Sequence, residues 1–472
     1  MKKISSKILF LLLIILSYQK VGLTLSYKTK KLDLTIYNNG KAFITEIRQM
    51  NIKVSEKPFE IIFADIPETI DPTSLQITSS SSGFKLLDQS YEYNLINTKS
   101  LLNKYINKKL TLIIPSFSER KKYVIKQAVL ISNNDRPIFM VDKKIYIGPY
   151  TAIMIPDVPK DLHPRPVLVC HVKNDGPETQ QNIKVSYLAN DFGWKTNYIL
   201  KISKNSKSAF LSGWFSITNN TNMTFKNAHV RLVAGNIQFI TNSNRYREKR
   251  LFLTAKRSSE NYGVKERNLF EYHIYDIPRN ITLKERQTKQ INFIQSPSFP
   301  VKKILEVVSK KADLYGHLYI NPVEIRHPDV YIVFHNKKQN GLGIPLPTGV
   351  IRVYKDFADG MQFIGEDRIK NIPENSKVLL NVGKAFDITI EKRKIDTKKL
   401  GKNMYELEWM ITIKNEKDKA ESIIIKEYVP GDWEFVKNPA GFKKIASNWI
   451  RKTVCVPAKG KKHIKYRVRC KL

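Results

Sequence analysis

Cysteine is nearly absent from this chain, with three in 472 residues. So sparse and odd a set excludes the disulfide framework that staples small exported domains. Cys455 and Cys470 lie either side of a Pro-Ala-Lys-Gly turn, read as a hairpin that sets Cys455 opposite His463. Cys470 then falls roughly 20 Å further along at about 3.3 Å per residue, beyond bridging range. Cys170 meets either one only through tertiary contact. The thiols are expected as small buried apolar groups.

Metal and nucleophile signatures are missing too. The sequence contains no H-E-x-x-H, no G-x-S-x-G and no Cys/His cluster at zinc spacing. His163 and His171, and likewise His327 and His335, are eight apart; on a strand that is about 26 Å, too far to share a metal. Cys170 and His171 are adjacent and on a strand point to opposite faces, which excludes a nucleophile–base pair. No cofactor and no metal are expected. Nor does any heptad run suggest a coiled coil, and after the first residues no apolar run is long enough to span a bilayer. The mature chain is therefore read without a transmembrane segment.

Acidic residues are scarce beside basic ones, 43 against 80, for a formal charge of +37. Such a field favours an anionic envelope component as partner, with a protein partner as the other option. The lysines are nevertheless spread along the whole length amid many Asn and Ile, a pattern that coding bias produces without any ligand. The densest basic stretch is Arg245 to Arg257. Nucleic acid is not expected, because few aromatics interleave the basic runs and the chain reads as exported.

That reading comes from the N-terminus. Lys2, Lys3 and Lys7 precede an unbroken apolar run from Ile8 to Leu16, and Thr24 and Ser26 suit a cut after Ser26. Residues 1–26 are thus expected to be a signal peptide, and the product to lie in the periplasm or on the cell surface of a bacterium. Beyond it, period-two alternation dominates. "KLDLTIYNNGKAFITEIRQM" reads as a hairpin about Asn39-Gly40, the pair favoured in a type I′ turn. One helix is expected in "NTKSLLNKYINKK", with Leu101, Leu102, Tyr105 and Ile106 on one face and Thr98 or Ser100 as cap. "VKKILEVVSKKA" is taken as a strand.

A strand, an Asn and a polar turn recur in "LVCHVKNDGPETQQNIKVSYLANDFGW", "GWFSITNNTNMTFKNAHVRLVAG" and "LEWMITIKNEKDKAESIIIKEYVPGDW". These hairpins suggest duplication and a mainly-β fold of immunoglobulin-like β-sandwich domains in series, with one short helix. Trp194 and Trp433 are expected between sheets. Prolines cluster from Pro149 to Pro166. The expected organisation is an N-terminal β domain over 27–160, a middle sandwich over 161–300 with a charged loop at 241–268, and a C-terminal sandwich over 301–472.

The stretch "GLGIPLPTGVIRVY", Gly341 to Tyr354, opens like a phosphate loop. A phosphate loop needs a helix after its glycines. Here Pro345 and Pro347 hold the chain extended and a β-branched run follows, so loop and strand are expected. The next hairpin, "DGMQFIGEDRI", carries the candidate carboxylates Asp359, Glu366 and Asp367, of which Glu366 and Asp367 could do acid–base work on an envelope polysaccharide. The commoner use of such residues is capping and ion pairing. The loop is expected to position this hairpin.

These segments together carry a family likeness. "LTIYNNGKAFITEIR", "DIPETIDPTSL", "GWKTNYIL", "FKNAHVRLVAGNIQ", "YHIYDIPRNITLKERQTKQI", "GLGIPLPTGVIRVY" and "FIGEDRIKNIPENSKVLLNVGKAFDI" resemble, in order, the bacterial domain of unknown function 4139 family, also called mucoidy-inhibitor-A-like. The resemblance implies an exported, β-rich protein and brings no functional residues with it. Many members carry a coiled coil that this chain lacks. The resulting expectation is a non-enzymatic cell-envelope protein, structural or partner-binding; the alternative is a polysaccharide hydrolase using Glu366 and Asp367.

Overall fold

The computed structural model describes residues 27–116, 122–159, 161–235, 237, 239, 265–269, 272–309, 324–358, 360–429, 431–436 and 441–471. The expected signal peptide, Asp359 and the basic stretch Arg245–Arg257 fall outside the described residues. The fold is mainly β: several sheets and, among the described residues, a single α-helix. The chain divides into two compact units.

The first unit takes its described residues from Met1–Gly193, Thr218–Val233 and Arg279–Thr288. Its main sheet places strands Ile70–Ser79, Gln180–Asn190, Lys41–Asn51, Tyr27–Tyr37 and Phe225–Ala234 side by side. The last two run parallel, from Asp33 opposite His229 to Tyr37 opposite Val233. Tyr27–Tyr37 and Lys41–Asn51 form the expected hairpin, but not by the expected turn. Ile36 pairs with Ala42, and in the loop only Gly40 has a positive φ, 94°. A type I′ turn would need two such residues.

A second sheet joins strands Ala152–Met154, Lys109–Pro115, Tyr123–Ser132, Ile138–Val141 and Lys144–Tyr146. Helix α1 (Thr98–Lys104) packs on it through Leu102 and the following Tyr105, against Leu110, Leu112, Leu130 and Phe139. The cap is Asn97, with Ser100 completing a capping box. A third sheet sets Val167–Asn174 between Ser55–Phe63 and Phe84–Glu92.

In the second unit, Lys302–Val308 is a strand, as its sequence suggested. Two sheets enclose one core there. Leu305, Ile423, Ile425, Ile450 and Val454 come from one sheet; Ile390, Trp409, Ile411, Ile413, Ile464 and Val468 come from the other. Cys455 and His463 are not hairpin partners. Cys455 lies opposite Ser422 and His463 opposite Thr412, because the strands flanking the Pro-Ala-Lys-Gly turn belong to different sheets. All three thiols are free, and Cys455 is exposed rather than buried. The C-terminal end of the expected charged loop at 241–268 is strand, since Lys265–Leu269 pairs with Tyr272–Asp276; residues 241–264 lie outside the described residues.

Two of the recurring asparagines, Asn219 and Asn415, and a third outside the repeat, Asn336, are corner fasteners. Asn219 is fully buried. Its amide donates to the carbonyls of Met223, Leu283 and Lys284, and its Oδ1 accepts from Thr221 N–H. Asn415 donates to Lys419, Val456 and Pro457 and accepts from Lys417 N–H. Asn336 donates to Ile344, Ile372 and Pro373 and accepts from Gly343 N–H. Each opposing turn holds a residue at positive φ, Arg286 at 48°, Lys459 at 49° and Asn375 at 64°. A buried carbonyl must find a donor, and one amide serves several where two strand ends meet.

Candidate functional site

The carboxylates singled out from the sequence sit on strand Gly360–Ile369. Glu366 and Asp367 are consecutive, so they point to opposite faces. Glu366 is exposed and pairs with Arg352 Nε at 3.2 Å, its cross-strand neighbour. Asp367 accepts from the backbone N–H groups of Asn381 at 2.8 Å and Arg368 at 2.7 Å. One carboxylate thus serves an ion pair and the other a strand junction. The return strand carries a bulge just before them: Val353 pairs with Gly365 and Tyr354 with Phe363, leaving Ile364 over, while Gly365, Glu366 and Asp367 all pair regularly.

The loop before this hairpin belongs to the core. Leu342, Ile344 and Leu346 are buried, and the carbonyls of Pro345 and Pro347 accept from Tyr275 and Tyr198. Gly341 and Gly343 hold φ values of 66° and 84°, and a Cβ on Gly341 would come within 2.0 Å of Pro297 Cδ. The loop thereby delivers Gly349–Phe357 into parallel pairing with Phe192–Ile202, from Thr196 opposite Gly349.

A different place in the molecule has the character of a site. In the first unit a cleft of about 870 Å³ opens beside the hairpin Tyr27–Asn51. Strand Lys41–Asn51 alternates strictly, and its inward positions are Ala42, Ile44, Glu46, Arg48 and Met50. Two charged side chains therefore occupy core positions. Arg48 is 1% exposed and lines the cleft. Its Nη2 donates to Glu46 Oε2 at 2.7 Å and to the Asp65 carbonyl at 2.9 Å. The Tyr27 ring lies over the guanidinium at 4.3 Å, and Phe63 is at 5.3 Å. Nε and Nη1 have no hydrogen-bond partner. A buried donor left unpaired costs about 1–3 kcal/mol, a cost that a ligand oxygen reaching the floor would offset.

The electrostatics hold this arrangement in its charged state. Burial opposes the Arg48 charge, but the neighbouring Glu46 and Tyr27 hold its pKa above the ordinary value. Burial pushes the Tyr27 phenol upward, with Arg48 opposing and the hydrogen bond to Asp65 reinforcing. Beside the cleft, burial would raise Asp33, yet hydrogen bonds from Lys31 and His229 bring its pKa below the usual carboxylate value. At the mouth, Lys30, Arg165 and Lys226 are exposed, and among the described residues they have no acidic partner. The carboxylates lining the cleft are Glu46, Asp65 and Glu285.

No protein-family model matches this chain, and no curated protein matches it either. Among the described residues no group of His, Cys, Asp and Glu is arranged to hold a metal ion, and no helix is long and apolar enough to cross a membrane. Sequence reasoning passed over Arg48 and Glu46. The signal available was their phase, since both fall on the period-two positions that Ala42 and Ile44 mark as inward.

Proposed function

We propose that this is an exported, non-enzymatic cell-envelope protein that binds an anionic partner in the cleft of its first unit. The observation that carries the reading is Arg48, fully buried at the floor with unpaired donors, beneath a mouth bearing Lys30, Arg165 and Lys226. Fixed positive charge in a low-dielectric recess concentrates anions. The apolar run behind Lys2, Lys3 and Lys7 supports export, as does the family resemblance.

The immunoglobulin-like reading rests on the paired sheets about one core in the second unit. Hydrolysis at Glu366 and Asp367 has less support, because both carboxylates already have structural partners. The test is binding to anionic envelope extract at low and physiological salt, using the parent and a Lys30→Ala/Arg165→Ala/Lys226→Ala variant. Binding that weakens with salt and falls in the variant supports the reading. Binding unchanged in the variant overturns it. Cell fractionation tests export, and a chain retained in the cytoplasm overturns that part. Polymer turnover abolished by Glu366→Gln with Asp367→Asn would restore the enzyme reading.

A further inference from the structure

We infer that the ligand of the cleft is an acidic saccharide, a hydroxyl-rich oligomer carrying carboxylate groups; this rests on the reading of the cleft as an anion site. A site for a phosphate-rich polyanion would present donors only, since every ligand group would be an acceptor. This cleft mixes its chemistry. Lys30 and Lys226 offer positive donors at the mouth, while the Glu285 carboxylate beside them is exposed and in no ion pair among the described residues. Asp65 and Glu46 add acceptors further in, and Glu46 already takes one hydroxyl, from Thr29 at 2.8 Å.

Carboxylates accept and never donate when ionised, so a ligand that engages them must bring O–H or N–H donors, and hydroxyls supply these without cancelling the ligand's negative charge. Neutral amides complete the set. Asn227 and Asn280 line the cleft with side chains that can both donate and accept, which suits vicinal hydroxyls. The anionic group of such a ligand is read by the lysines and by the floor arginine, whose Nε and Nη1 lack partners. The volume, about 870 Å³, lies in the upper part of the range for small-ligand pockets, about 300–1,000 Å³, and suits several linked rings better than one.

Calorimetry on the full mature chain with three probes decides the matter: an α-1,4-linked tetragalacturonate, the neutral maltotetraose and inorganic tripolyphosphate. The uronate oligomer should bind at least about tenfold more tightly than the neutral one, the difference of roughly one charge-assisted hydrogen bond. Lys226→Ala and Asn280→Ala, both at exposed positions that leave the fold intact, should each weaken it. Equal binding of maltotetraose would overturn the proposal, because the charge would not be read. Tripolyphosphate binding more tightly than the uronate would overturn the saccharide class while leaving the anion site standing. Binding of none of the three, with the protein folded, would remove both readings.

Discussion

Asn219 and Asn415 share four hydrogen bonds. Each accepts from the N–H two residues on, donates to the carbonyl four residues on, and donates to two successive carbonyls of a turn far away in sequence. Asn415→Ala removes the donor and strands three carbonyls, so it should destabilise by at least about 2 kcal/mol. Asn415→Asp should be no better, because a carboxylate would face carbonyl oxygens. Urea unfolding of both variants measures this; a loss below about 0.5 kcal/mol would show that water replaces the amide.

Trp194 should matter more than Trp433. Trp194 is buried against Phe215 and Tyr275, whereas Trp433 is half-buried and donates to the Ser447 carbonyl near the surface. Trp194→Ala should cost about 3–5 kcal/mol and Trp433→Ala clearly less. The Trp194 indole N–H has no partner. Trp194→Phe should therefore cost less than its lost volume suggests, since it also removes an unsatisfied buried donor. Equilibrium denaturation of the three variants orders them.

His171 gives the third sheet of the first unit a pH dependence. Its ring nitrogens face Asp88 at 2.5 Å and Glu60 at 3.2 Å on the strands either side. Those hydrogen bonds, Asp88 first and Glu60 second, raise the histidine pKa above its ordinary value. A raised folded-state pKa means that the stabilisation is complete below the ordinary histidine value, about 6.5. It is lost as pH rises through the higher folded value. Melting curves across this window should slope downward with pH in the parent and flatten in His171→Asn. An unchanged slope would place the dependence elsewhere.

Glycine at 341 and 343 should be irreplaceable. Both positions lie at positive φ, and a Cβ at Gly343 would meet the Lys338 backbone nitrogen at 2.7 Å. Gly341→Ala and Gly343→Ala should each destabilise by roughly 1–3 kcal/mol, as thermal unfolding would report. Gly193, with open space about its Cβ position, is the control.

Strand alternation made the mainly-β character plain, and the asparagine that ends three of the strands was visible as a repeat. Asn336 escaped notice because its turn is replaced by the proline loop, so that its acceptor is Ile344 rather than a residue four positions on. Glu366 and Asp367 drew attention as neighbouring carboxylates, but adjacency along a strand separates side chains to opposite faces. Arg48 and Glu46 were hidden for the opposite reason. A charge in an alternating strand is read as solvent-facing, and only the phase shared with Ala42 and Ile44 betrays that these two point inward. The cleft itself needs Lys226 and Glu285, brought beside Tyr27 by tertiary pairing that no local pattern encodes.

The parallel partner of strand Tyr27–Tyr37 is Phe225–Ala234, so the first unit is closed by chain that is synthesised late. Until Val233 has emerged, the side of Asp33–Tyr37 that later meets His229–Val233 is an open edge, and open edges pair with the wrong neighbours. Segment Arg279–Thr288 completes the unit later still. Parallel, long-range pairing of this kind is slow. Folding yield should therefore depend on how well the waiting edge is shielded during biogenesis, and a fragment ending before Phe225 should aggregate rather than form a smaller version of the unit.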